Sequence, residues 1–206
     1  MGKHTNSIDG RILSRIKGKG RGSVFTPADF LDLGSRAAVD QALSRGTRGG
    51  AIRKLVRGLY DYPRRHPSLG TLAPSTDAIA KAIQGRDASR LQPSGAQAAN
   101  MLGLSEQVPA RAVFLTDGRS RKVQLGKRLI ILKRTTPRQM ATAGRISGTV
   151  IQALHWLGRR QEDDRAIAIL RRQLSARDKR QLLNDIPYAP AWIGELMRRI
   201  AEPPAR

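Results

Sequence analysis

Gln41, Ser44 and Arg45 lie on the outward side of a segment whose inner stripe is Val39, Ala42 and Leu43, and helical geometry turns Ala37 and Asp40 outward with them. Their chemistry is hydrogen bonding to planar polar edges. A glutamine amide bonds adenine bidentately, an arginine guanidinium bonds guanine, and a serine hydroxyl accepts either role. Arg36, at the N-terminal flank, suits a phosphate better than a base. Asp40 would repel phosphate, so it is either a reader of cytosine or a solvated residue. Arg48 extends the basic character, and Arg53, Lys54 and Arg57 follow on an alternating segment. Cations there meet phosphates, deter edge-to-edge aggregation, or do both.

Catalytic chemistry finds little to work with. His4, His66 and His155 are far apart in the chain, and His155 sits beside Trp156 in an apolar helical pattern, where a packed histidine is expected. The acids of "EDD" (162–164) point in different helical directions and suit a helix N-terminus, where the macrodipole favours negative charge. "KGKGRG" (17–22) lacks the spacing of a phosphate-cradling loop and follows a helix rather than a strand. With no cysteine there is neither a disulfide nor a thiolate ligand, which fits a cytoplasmic protein. The expectation is a binding protein, not an enzyme, with no metal and no cofactor.

Several elements must position the polar side chains. Ser7 caps a first helix carrying Ile8, Ile12, Leu13 and Ile16, which ends in the glycines of "KGKGRG". "SVF" reads as a strand. "TPADFLDLG" (26–34) predicts a second helix, with Thr26 as cap, Pro27 at the first turn, Asp29 closing a capping box and Gly34 as stop. Ser35 caps the third. "AIRKLVRGLYDY" (51–62) predicts a hairpin turning at Gly58, with Tyr60 and Tyr62 as packing residues. Strand, two-helix corner and hairpin in this order make a winged helix, the helix suited to the major groove and the ribbon to neighbouring phosphates.

"PRRHPSLGTLAP" (63–74), rich in proline and glycine, reads as a linker. The predicted division is a winged helix at 1–66 and an α+β domain at 75–206 with a helical C-terminal half. Ser75 caps a helix with Ile79, Ala82 and Ile83; a short helix covers 94–102; three strands follow in 110–136, with Asp117-Gly118 as a hairpin signal. Four helical patterns complete the chain, Ser175 and Asp178 at capping-box spacing in one of them. Between 111 and 145 there are ten Lys or Arg and one acid, Asp117. Arg119, Arg121, Lys122, Lys127 and Arg128 are candidates for a second polyanion surface, which would extend a DNA footprint, touch RNA or meet an acidic protein.

The whole chain has 206 residues with 38 Lys or Arg against 16 Asp or Glu, a formal charge of +22. Such an excess attracts polyanions, of which nucleic acid is the commonest. A hydrophobic share of 39%, spread along the chain, argues for packed cores rather than a disordered tail. No apolar run is long enough to cross a membrane.

Residues 21–62, and "AIRKLVRGLYDYP" above all, resemble the N-terminal winged helix of AbiEi-type antitoxins. "LQPSGAQAANMLGLSEQVPARAVFLTDGRSRKVQL" resembles the second domain of that family, where a helix leads through a Val-Pro step into basic strands. The resemblance implies a repressor that binds the operator of its own operon as double-stranded DNA. It also implies an antitoxin that counters a nucleotidyltransferase-type toxin without needing to form a stable complex with it. One departure is "SRGTRGGAI", whose three glycines predict that the recognition helix stops near Arg45, before Arg48. A metabolite-sensing transcription factor and an RNA-binding protein are the alternative readings.

Overall fold

The computed structural model describes residues 7–107, 109–159 and 163–202. His4, Val108 and Glu162 lie outside them. The chain is mixed α and β with small sheets, and it divides into two compact units, Met1–Ser89 and Arg90–Arg206.

The first unit opens with α1 (Ile8–Lys19), whose cap is Ser7, the hydroxyl accepting from Gly10 N at 3.1 Å. Strand β1 (Val24–Phe25) leads to a 3-10 turn at Pro27–Phe30, then to α2 (Arg36–Arg48), β2 (Arg53–Val56) and β3 (Leu59–Asp61). The three strands form an antiparallel sheet in the order β1-β3-β2. Ile12, Ile16, Phe25, Phe30, Val39, Leu43, Ile52 and Tyr60 make the core between helices and sheet.

Two expectations change here. The second helix is only a 3-10 turn, although its Thr26–Asp29 capping box is present. Its carbonyls are taken by arginines of α1. Arg15 donates to Asp29 O at 3.1 Å and clamps the Asp32 carboxylate at 2.7 Å, while Arg11 donates to Leu33 O at 2.9 Å. Leu33 N turns back to Phe30 O at 2.9 Å, so the i to i−4 ladder never starts. The third helix, in contrast, runs on to Arg48 instead of stopping near Arg45. A side chain at Gly46 would come within 3.3 Å of Ile52 Cδ1, so this glycine gives close packing rather than a stop.

Residues 63–74 are not a bare linker. Strands β4 (Arg65–His66) and β5 (Gly70–Thr71) pair as a small hairpin around residues 67–69, with Gly70 at φ +69°. That is a three-residue loop closed by a left-handed glycine, the bulged hairpin geometry. Helix α3 (Thr76–Asp87), capped by Ser75, packs on β1 and the 3-10 turn. It therefore belongs to the first unit, where the sequence assigned it to the second.

In the second unit β6 (Leu91–Pro93), β7 (Arg111–Thr116), β8 (Arg121–Leu125) and β9 (Arg128–Arg134) form a sheet ordered β6-β7-β9-β8. β9 lies between β7 and β8, parallel to the first and antiparallel to the second. The tight turn is thus Gly126-Lys127, with Gly126 at φ +58°, and not Asp117-Gly118. Asp117 instead accepts from the backbone N of Arg90 at 2.8 Å and from its guanidinium at 2.7 Å. Helices α4 (Ala96–Met101), α5 (Ile146–Leu157), α6 (Asp163–Gln173), α7 (Ala176–Asp185) and α8 (Ala191–Ala201) pack around Val150, Leu154, Leu170, Leu182, Ile193 and Met197. The buried Asp185 carboxylate ties α7 to the start of α5, accepting from Arg145 at 2.7 Å and from the Ser147 hydroxyl.

Candidate nucleic-acid interface

Ala37, Gln41, Ser44, Arg45 and Arg48 fall at helical spacings along α2, and all five are exposed. The inner stripe is buried as Val39, Ala42 and Leu43. The face is pre-arranged by ion pairs. Arg45 places Nε and Nη2 on the Asp9 carboxylate of α1, at 2.6 and 2.7 Å. That hydrogen bond lowers the Asp9 carboxyl below its ordinary range and raises the Arg45 guanidinium. Arg36 bonds Asp40 at 2.9 Å one turn along. The acid that would have repelled phosphate is thereby neutralised, and Arg36 is engaged along with it. Gln41, Ser44 and Arg48 carry no such tie among the described residues.

The hairpin separates its three cations. Its two-residue loop is Arg57-Gly58, with Gly58 at φ +74°. Lys54 and Arg57 are exposed and have no acidic partner among the described residues. Arg53 is different. It grips Asp61, 1% exposed, at 3.0 and 2.6 Å, and reaches on to Leu72 O at 2.9 Å. The Asp61 hydrogen bonds raise the Arg53 guanidinium. Expected as a phosphate contact, Arg53 is a strap between the sheet and the segment after β5. Tyr60 is buried and stacks on Phe25 at 6.3 Å between centroids, a packing residue as expected. Arg21 lies over the Tyr62 ring at 4.7 Å and donates to Pro63 O at 3.0 Å.

The β4–β5 ribbon was not anticipated from the sequence. Arg64, Arg65, His66 and Leu69 are all exposed on it. The "HPSLG" run is the signal that could have found it, a proline-led turn followed by a glycine at the left-handed position.

The five cations expected to form a second basic surface are spread along the β8–β9 hairpin. Arg119 precedes β8, while Lys127 and Arg128 lie beyond its other end, four residue steps or roughly 13 Å along the strand. Arg121 is half-buried, and Lys122, exposed, stands on the opposite sheet face by alternation. The Arg90 hydrogen bond holds the Asp117 carboxyl below its ordinary range. Asp164, from the acid triplet, pairs with Arg199 at 2.5 Å. The second unit also holds a cavity of about 440 Å³ lined by Arg138, Gln139, Gln152, His155 and Tyr188, so His155 is exposed rather than packed in the core. Among the described residues no helix is long and apolar enough to cross a membrane.

A family model described as a family of unknown function (DUF6088) matches residues 11–182. A crystal structure of the RV2827C protein from Mycobacterium tuberculosis is similar at 15% sequence identity and a TM-score of 0.44, over 93% of this chain and 81% of that one. No curated protein matches.

Proposed function

We propose that this chain, a member of the DUF6088 family, is a cytoplasmic DNA-binding repressor and the antitoxin of a type IV toxin–antitoxin pair. On this reading the first unit is a winged helix, α2 entering the major groove and the β2–β3 ribbon lying on phosphates. One observation carries it. The exposed stripe of α2 offers Gln41, Ser44 and Arg48, its nearby acids Asp9 and Asp40 are already paired, and the hairpin beyond adds Lys54 and Arg57. The antitoxin role is supported by the family resemblance alone, at residues 21–62 and 91–125.

Three measurements test it. Binding to duplex DNA from the chain's own promoter should weaken steeply with salt, each phosphate contact contributing about −0.9 to the slope. Lys54→Ala with Arg57→Ala should flatten that slope by up to about two units and leave the unfolding midpoint in place. Gln41→Ala should narrow the gap between operator and random duplex by roughly 1–3 kcal/mol. An unaltered slope in the double variant removes the ribbon from the phosphates. For the antitoxin role, the intact chain expressed from an unrelated promoter should restore growth against the toxin encoded beside it. No rescue would leave a repressor without antitoxin activity.

A metabolite-sensing factor is the second reading, the open pocket lined by the exposed Arg138, His155 and Tyr188, with no acid in its lining, being where a small ligand would sit. The RNA-binding alternative would use the basic strands β8 and β9, whose five cations are spread over the strand ends and both sheet faces.

A further inference from the structure

We propose that the β4–β5 hairpin is a second DNA-contacting ribbon whose tip, Leu69, inserts as a wedge between base pairs from the minor groove. This inference rests on the DNA-binding reading and adds a mode of contact to it.

Leu69 is 72% exposed, the most exposed large apolar side chain among the described residues. A lone exposed leucine is ordinary, but this one is displayed. It sits at the tip of a paired hairpin, between Arg65↔Thr71 and His66↔Gly70. The tip is fixed from inside, since His66 Nδ1 accepts the backbone N–H groups of Ser68 at 3.2 Å and Leu69 at 3.3 Å. The base is fixed as well. Leu72 N donates to Arg64 O at 2.8 Å, and Leu72 O accepts from Arg53, itself locked on Asp61. A rigid ribbon loses little entropy when it docks.

Charge selects the partner. Residues 62–76 contain no acid, and Arg64, Arg65 and His66 flank the leucine. Arg64 and Arg65 have no acidic partner among the described residues, and Arg21 is held near the base through Pro63 O. An apolar tip flanked by arginines is the combination that minor-groove wedges use. The cations read the negative groove, and the apolar side chain unstacks one step and kinks the duplex. A membrane would ask for a wider apolar face than one leucine offers. The two ribbons leave the three-stranded sheet at opposite ends, one at Arg57-Gly58 and the other after Asp61.

The test uses the full chain, a short promoter duplex with dyes at both ends, and a second duplex carrying 2-aminopurine at successive steps. Wild type should raise energy transfer as the duplex bends, and should brighten 2-aminopurine at one step. Leu69→Ala should abolish both signals and raise Kd about tenfold, with an unchanged melting temperature because the side chain is exposed. Leu69→Met should keep the bend, since an apolar wedge is retained. Leu69→Ala that bends and unstacks the duplex as wild type does overturns the wedge while leaving DNA binding intact. Wild type that binds no duplex overturns the DNA reading and the wedge with it.

Discussion

Two nitrogens of Arg53 hold the Asp61 carboxylate, and the guanidinium is itself about one-third open to water while the acid is sealed. Removing the cation leaves a buried charge with no counterpart. Arg53→Ala should therefore destabilise the first unit by about 3 kcal/mol, the lower end for a broken buried pair because water reaches one side. Arg53→Ala with Asp61→Ala should recover much of that loss. Urea unfolding checks both, and a wild-type midpoint for Arg53→Ala would show that the strap holds nothing. Sequence could not tell Arg53 from its neighbours Lys54 and Arg57. A regular hairpin turning at Arg57-Gly58 would set Arg53 opposite Tyr62, but a bulge between Lys54 and Val56 shifts the register by one and delivers Asp61. Gln41 and Ser44 were legible because helical spacing alone decides that they point outward. The Asp9 contact of Arg45 was not, because it joins residues 36 positions apart.

Helix α5 meets strand β6 through a glycine. A side chain at Gly148 would lie 2.3 Å from Gln92 Oε1 and 2.5 Å from the backbone oxygen of Thr142. The carbonyl cannot rotate aside, so Gly148→Ala should cost at least about 1–3 kcal/mol in the second unit despite alanine's better helix propensity. Denaturation of the variant against wild type measures this, and a neutral result would mean that Gln92 and the backbone at Thr142 give way to the methyl at little cost. Local signals found most elements of this kind. Caps at Ser7, Ser35, Ser75 and Ser175 all formed. What failed was punctuation that has two meanings. Pro and Gly in 63–74 mark a tight ribbon as readily as a linker, and Gly46 suits a close contact as readily as a helix end.

At the scale of the molecule, the division after Ser89 sets which fragments stand alone. A fragment of residues 1–89 keeps α3 with the buried Ile79 and Ile83, and it should unfold in a single cooperative urea transition. A fragment ending at residue 66 loses α3, β5 and the Leu72 anchor of Arg53, and it should unfold at lower urea or not fold at all. Equal midpoints would return α3 to the second unit. The sheet of the second unit carries a different consequence, one of timing. β9 is the last of its strands to be synthesised, yet it occupies the place between β7 and β8. While the ribosome adds roughly 5–20 residues each second, β7 has β6 on one side and bare backbone on the other. The four-residue link 117–120 invites β8 to close onto that edge as a premature hairpin. Birth of the native sheet therefore waits for Arg134 to leave the exit tunnel, and until then the nascent chain has a sticky edge for a chaperone to cover.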